Sequence, residues 1–60
     1  MSPLDYLRQV AADVTAARVM TACGLSHEET YRQLVALESA GLVRLLTTGS
    51  ERLRVTWAAV

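Results

Sequence analysis

Two helical patterns meet at Gly24-Leu25-Ser26, and this junction constrains the fold of the 60-residue chain more than any other feature. Before it, Ala16 to Ala22 is a run of good helix formers, with Val19, Met20 and Cys23 spaced to face inward. Glycine takes the left-handed conformation at low cost, so Gly24 is expected to stop that helix and Leu25 to plug the turn. Ser26 and Glu29 have the S-x-x-E spacing of a capping box, which satisfies two orphan amides at the start of the next helix. Thr30, Leu34 and Leu37 then lie on one stripe of that helix, and Gly41 ends it.

The flanks supply the remaining elements. Ser2 can cap a first helix, Pro3 suits its first position, and Asp5 sits in the first turn near the positive end of the dipole. Leu4, Leu7, Val10 and Ala11 follow at helical spacing, which predicts a helix over about residues 3–12, with Asp13 or Thr15 capping the second. After Gly41, the run from Leu42 to Thr47 has β character, and Thr48-Gly49-Ser50 is turn chemistry. From Arg52 the residues alternate: Leu53, Val55 and Trp57 one way, Arg52, Arg54 and Thr56 the other. A hairpin follows, in one of two registers. A three-residue loop pairs Leu45 with Leu53 and Val43 with Val55. A two- or four-residue loop pairs Leu46 with Leu53 and Arg44 with Val55. The first buries more apolar surface on one face and is preferred.

The expected class is therefore α+β: one domain over residues 1–60, with three helices followed by a two-stranded hairpin. Leu7, Val19, Leu25, Leu34, Leu37 and Val55 should be buried together, and Trp57 should pack the hairpin on the first or third helix. A chain of this size buries only about 60% of the surface its unfolded form exposes, so its stability is thin.

Composition narrows the function. Six arginines (Arg8, Arg18, Arg32, Arg44, Arg52 and Arg54) are balanced by six acids (Asp5, Asp13, Glu28, Glu29, Glu38 and Glu51), giving a net charge of zero. Neutralised phosphates release counterions, and that release drives nucleic-acid affinity, so zero charge argues against tight DNA binding by a lone monomer. A locally basic face remains open. No stretch approaches the roughly 20 apolar residues of a membrane span, and no basic start precedes an apolar run. No membrane partner is expected, and the cytoplasm is the default compartment.

Cys23 is the only cysteine, which excludes an internal disulfide and a cysteine-based zinc site, and it reads as a small buried hydrophobe. His27 is the only histidine, so no metal site and no cofactor are expected. There is no glycine-rich phosphate loop and no nucleophile with a plausible base, so the chain is not expected to be an enzyme.

Helix, tight glycine turn, helix is the sequence form of a helix-turn-helix, whose second helix can enter a DNA major groove. Gly24-Leu25-Ser26, then Thr30-Tyr31-Arg32-Gln33-Leu34, then Leu37-Glu38-Ser39-Ala40-Gly41-Leu42-Val43 resembles the winged-helix domains of bacterial regulators of the MarR, ArsR and IclR kinds. The resemblance covers residues 14–57. It implies a winged helix-turn-helix fold, a recognition helix over about residues 27–40, and a wing over 42–57 with its tip at 48–50. The chain departs from the pattern at Glu29, where threonine or serine is common, at Thr30, where valine is usual, and at Val35, where a basic or polar residue is common.

On a helical wheel with Thr30, Leu34 and Leu37 inward, the outward arc holds His27, Glu28, Tyr31, Arg32, Val35 and Ser39. Arg32 has the chemistry to grip guanine or a phosphate, and Tyr31 and Ser26 can donate to phosphate oxygens. Glu28 repels the backbone unless it accepts from a cytosine amine. Arg52 and Arg54 read equally as a wing gripping flanking phosphates or as a solvated strand face. The expected DNA-binding set is Ser26, His27, Glu28, Tyr31, Arg32, Arg52 and Arg54. Double-stranded DNA is the expected partner of a small transcriptional regulator, with a homodimer supplying affinity. The alternative is a protein-interaction module of the phage- or plasmid-type adaptor or inhibitor kind. It would dock through an apolar patch at Tyr31 and Val35, since aromatic and arginine residues are enriched at interfaces. Dimerisation, if present, is expected through the first helix.

Overall fold

In the computed structural model the structure is described for residues 1–48 and 54–60, with Thr48 and Arg54 described by backbone alone. Three helices, α1 (Pro3–Val10), α2 (Ala16–Cys23) and α3 (His27–Ser39), precede two antiparallel strands, β1 (Val43–Thr48) and β2 (Arg54–Ala59). The class is α+β, as the sequence patterns predict.

Each helix begins on the cap that the sequence offers. Ser2 Oγ accepts from Asp5 N–H at 3.2 Å, Thr15 Oγ1 from Arg18 N–H at 3.4 Å, and Ser26 Oγ from Glu29 N–H at 3.2 Å. Thr15, not Asp13, therefore caps α2. The reciprocal half of the capping box is absent among the described residues. The Glu29 carboxylate is drawn down the helix instead, accepting from Gln33 Nε2 at 3.5 Å and pairing with Arg32 at 3.3 Å.

Helix ends follow backbone stereochemistry. Gly24 adopts φ 66° and donates to Met20 O at 2.9 Å. At Gly41 (φ 77°) the Gly41 N–H reaches Glu38 O and the Leu42 N–H reaches Leu37 O, both at 3.0 Å. Those two bonds make a Schellman turn, which satisfies the last carbonyls of α3 and aims the chain into β1. α1 stops earlier than its apolar spacing predicts, because Ala11 takes the left-handed conformation (φ 54°, ψ 36°) and donates to Leu7 O. A β-carbon there costs roughly 1–2 kcal/mol, and glycine removes that cost while adding roughly 0.4–1 kcal/mol of unfolded-state entropy. Ala11 is exposed, so no packing is lost. Ala11→Gly is expected to stabilise the chain by about 0.5–1 kcal/mol in urea denaturation; a loss of stability would contradict the left-handed cap.

The core is built across all elements. Leu7 from α1, Ala16 and Val19 from α2, Leu34 from α3, Val43 from β1 and Trp57 from β2 form one buried cluster. Leu37 and Val55 are half-buried and pack against it. Leu25 departs from its expected place. It is half-buried outside the cluster, and its N–H bonds Met20 O, so the turn is held by backbone hydrogen bonds and not by a leucine plug.

The hairpin register matches neither expected alternative. Val43 pairs with Ala59, Leu45 with Trp57 and Thr47 with Val55, down to Thr48 with Arg54, leaving residues 49–53 between the strands. This ladder is offset by four residues from the preferred pairing, and an even offset keeps every side chain on its expected face. Two constraints outside the loop account for it. The Schellman turn delivers Val43 directly to the core, and Trp57 is held from its other side by Val14. Trp57 N–H donates to Val14 O at 2.7 Å and Val14 N–H to Trp57 O at 2.9 Å. This bridge, which the sequence patterns did not reveal, clips the α1–α2 connection to the outer edge of β2. Arg44 reaches across β2, past its register partner Ala58, to Asp13 at 3.6 Å, which reinforces the clip.

Candidate nucleic-acid interface

α3 has two unlike sides. Thr30 and Leu34 are fully buried on one. On the other, His27, Glu28, Arg32, Val35 and Ser39 are exposed, with Val35 at 54%. Ser26 is exposed at the N-cap, where its oxygen is occupied by the Glu29 amide. The structure thus brings Ser26, His27, Glu28 and Arg32 together on the first two turns of one helix.

Tyr31 differs from the rest of the arc. It is half-buried and packs against the core, with its ring edge-on to Trp57 at 6.2 Å and 4.7 Å from the His27 ring. An aromatic relay therefore runs from the buried indole through Tyr31 to the exposed imidazole. Residue 31 lies at the border between the two sides of the helix, so its ring serves the fold as well as the surface.

Arg32 is engaged. Its guanidinium lies 3.5 Å from Glu28 and 3.3 Å from Glu29, at i,i+4 and i,i+3 spacing with the acids N-terminal, the favourable orientation on a helix. Glu29 was missing from the sequence-derived arc although its i,i+3 spacing to Arg32 was legible. α3 carries three carboxylates (Glu28, Glu29, Glu38) against one guanidinium. The charged side chains of α3 are therefore net acidic even with Arg32 paired to Glu28 and Glu29.

The two hairpin arginines stand differently. Arg52 lies outside the described residues, and Arg54 is described only as the backbone partner of Thr48 at the end of the ladder. Arg44, whose role depended on the register, faces Asp13. Among the described residues Arg8 and Arg18 are exposed and take part in no ion pair, and neither was in the expected set. Among those same residues no helix is long and apolar enough to cross a membrane. No protein-family model matches the chain, and neither a curated protein nor a solved structure matches it significantly.

Proposed function

We propose that the chain is a winged helix-turn-helix DNA-binding domain of a small transcriptional regulator, with α3 as the recognition helix and the β1–β2 hairpin as the wing. One observation carries the reading. α3 is joined to α2 through a tight glycine turn, is anchored by Thr30 and Leu34, and leaves its opposite side open to solvent. A helix presented in this way fits the major groove, which is about 12 Å wide.

The Arg32 ion pairs do not oppose this reading. Arg32 and Glu28 side chains are 69% and 86% exposed, and exposed pairs contribute only about 0.2–1 kcal/mol. A bidentate contact to guanine discriminates against the wrong base by about 1–3 kcal/mol, the same order as the two exposed pairs together, so the pairs do not lock the guanidinium away from a base edge. The carboxylates it leaves behind then repel the phosphate backbone. Arg32→Ala is expected to weaken DNA binding by about 1–3 kcal/mol and to relax preference at one base position. Glu28→Gln is expected to strengthen binding, because it removes an anion facing the same groove.

A second reading is favoured by the acidic charge of α3 and the exposure of Val35: a module that docks on a protein through the same helix face. Val35→Ala separates the two, since it removes the exposed apolar contact without adding charge to the face that would meet DNA and leaves the core intact. Tyr31→Ala is less discriminating because Tyr31 also supports Trp57. Fluorescence anisotropy with duplex DNA, run on wild type, Arg32→Ala, Glu28→Gln and Val35→Ala, decides between them: the DNA reading expects the two charge changes to shift affinity and Val35→Ala to leave it nearly unchanged. No change in DNA affinity with Arg32→Ala and Glu28→Gln overturns the DNA reading.

A further inference from the structure

Among the described residues the sheet has one open edge. Val14 bonds the outer side of β2, and β1 occupies the opposite border. The direction of each main-chain group in β1 follows from two hydrogen bonds. Val60 N–H donates to Leu42 O, so even-numbered residues of this segment face β2. Trp57 turns its N–H and C=O to Val14, which gives β2 the same alternation from its other side. The N–H and C=O groups of Val43, Leu45 and Thr47 therefore point away from the sheet. No hydrogen bond reaches them among the described residues.

Natural proteins protect such an edge with proline, lysine, a bulge or an inward charge. β1, Val-Arg-Leu-Leu-Thr-Thr, has no proline and no lysine. Its one charge, Arg44, is directed across β2 to Asp13 and so away from the open border. Leu45 lies on the core-facing side of the sheet with Val43, yet remains 42% exposed because nothing lies beyond the edge among the described residues.

We infer that β1 pairs with β1 of a second copy of this chain, antiparallel about a two-fold axis at Leu45. Three registers place outward groups opposite outward groups near the strand centre. Centring on Arg44 sets two guanidinium groups against each other. Centring on Leu46 carries Val43 past the end of β1. Centring on Leu45 sets Leu45 against its own copy and Val43 against Thr47, so that all three outward residues of each strand form bonded pairs. It also places Arg44 opposite Leu46, with no like charges facing, and buries the two exposed leucines against each other. Zero net charge on each copy adds no long-range repulsion. The contact belongs to the small class that buries less than about 1,200 Å², so the dimer is weak. This pairing does not depend on DNA binding. It also places dimerisation on the sheet, where the sequence suggested the first helix.

Amide hydrogen exchange and sedimentation equilibrium test it on the wild-type chain over a concentration series. The expected result is reversible dimerisation, with the amides of Val43, Leu45 and Thr47 exchanging more slowly as concentration rises and those of Arg44 and Leu46 unchanged. Leu45→Lys and Leu45→Glu variants, checked for folding by circular dichroism, should each be monomeric, because residue 45 meets its own copy. An equimolar mixture of the two should form the heterodimer. A wild-type chain that stays monomeric overturns the inference, as does a dimer that leaves the three odd-numbered amides unprotected. The same holds if either variant self-associates as well as wild type.

Discussion

Leu34→Ala is expected to leave the chain largely unfolded at room temperature. Leu34 has no exposed surface and belongs to the one core cluster that draws on all three helices and both strands. Truncating a leucine at such a site removes its transfer free energy and leaves a cavity, a cost of about 2–5 kcal/mol. Whole domains are stable by only about 5–15 kcal/mol, and small ones fall at the low end. In so small a core the neighbouring helices are short, so little structure remains to collapse into the gap. Thermal denaturation followed by far-ultraviolet circular dichroism reads the effect. A loss below about 1 kcal/mol would mean that Leu34 does not hold the three helices together.

The second large effect is expected at Trp57, whose side chain is 3% exposed between the sheet and the helices. Trp57→Ala should cost about 3–5 kcal/mol, the range for removing a buried aromatic side chain. Its hydrogen bonds to Val14 are made by the backbone and remain available to alanine, so the loss reports the indole. The indole Nε1 is buried without a hydrogen-bond partner among the described residues. A phenyl ring lacks that polar group, and Trp57→Phe should therefore lose much less than Trp57→Ala, since an unsatisfied buried donor costs about 1–3 kcal/mol. Urea denaturation of the two variants measures the difference. Equal losses would show that a phenyl ring gains nothing over alanine, so that the site requires the whole indole and its N–H is not a net cost.

Much of this architecture was legible because local chemistry and the wider fold agree. Ser2, Thr15 and Ser26 act as caps, Gly24 and Gly41 end helices, and Leu7, Val19 and Leu34 fall on the inward stripes their spacing indicates. What escaped was set at long range. The Val14–Trp57 bridge joins residues far apart in sequence, and a single paired residue leaves no alternating pattern to read. The hairpin register was misjudged because turn chemistry at 48–50 suggested a short loop, whereas the ladder is fixed from its far end at Val43 and Ala59. Ala11 was read as helical because it continues the spacing of Leu4, Leu7 and Val10, whereas it takes the left-handed conformation that ends α1 ahead of Val14.

At the surface, the wheel identified the exposed side of α3 but not its electrostatics. Arg32 looked like a free cation until its two carboxylate partners were located. Tyr31 looked wholly outward, although its ring is large enough to reach Trp57 from the border of the helix. Thr30, an unusual residue in a fully buried position, has a hydroxyl with no partner among the described residues. A valine of the same shape would avoid that cost.

The most direct test of the DNA-binding reading is an anisotropy titration of the wild-type chain with random-sequence duplex DNA at two salt concentrations. The expected result is saturable binding at low ionic strength whose affinity falls steeply as salt rises, as counterion release requires. Absence of salt-dependent binding to any duplex at low ionic strength would contradict that reading and leave the α3 surface as a protein-docking face.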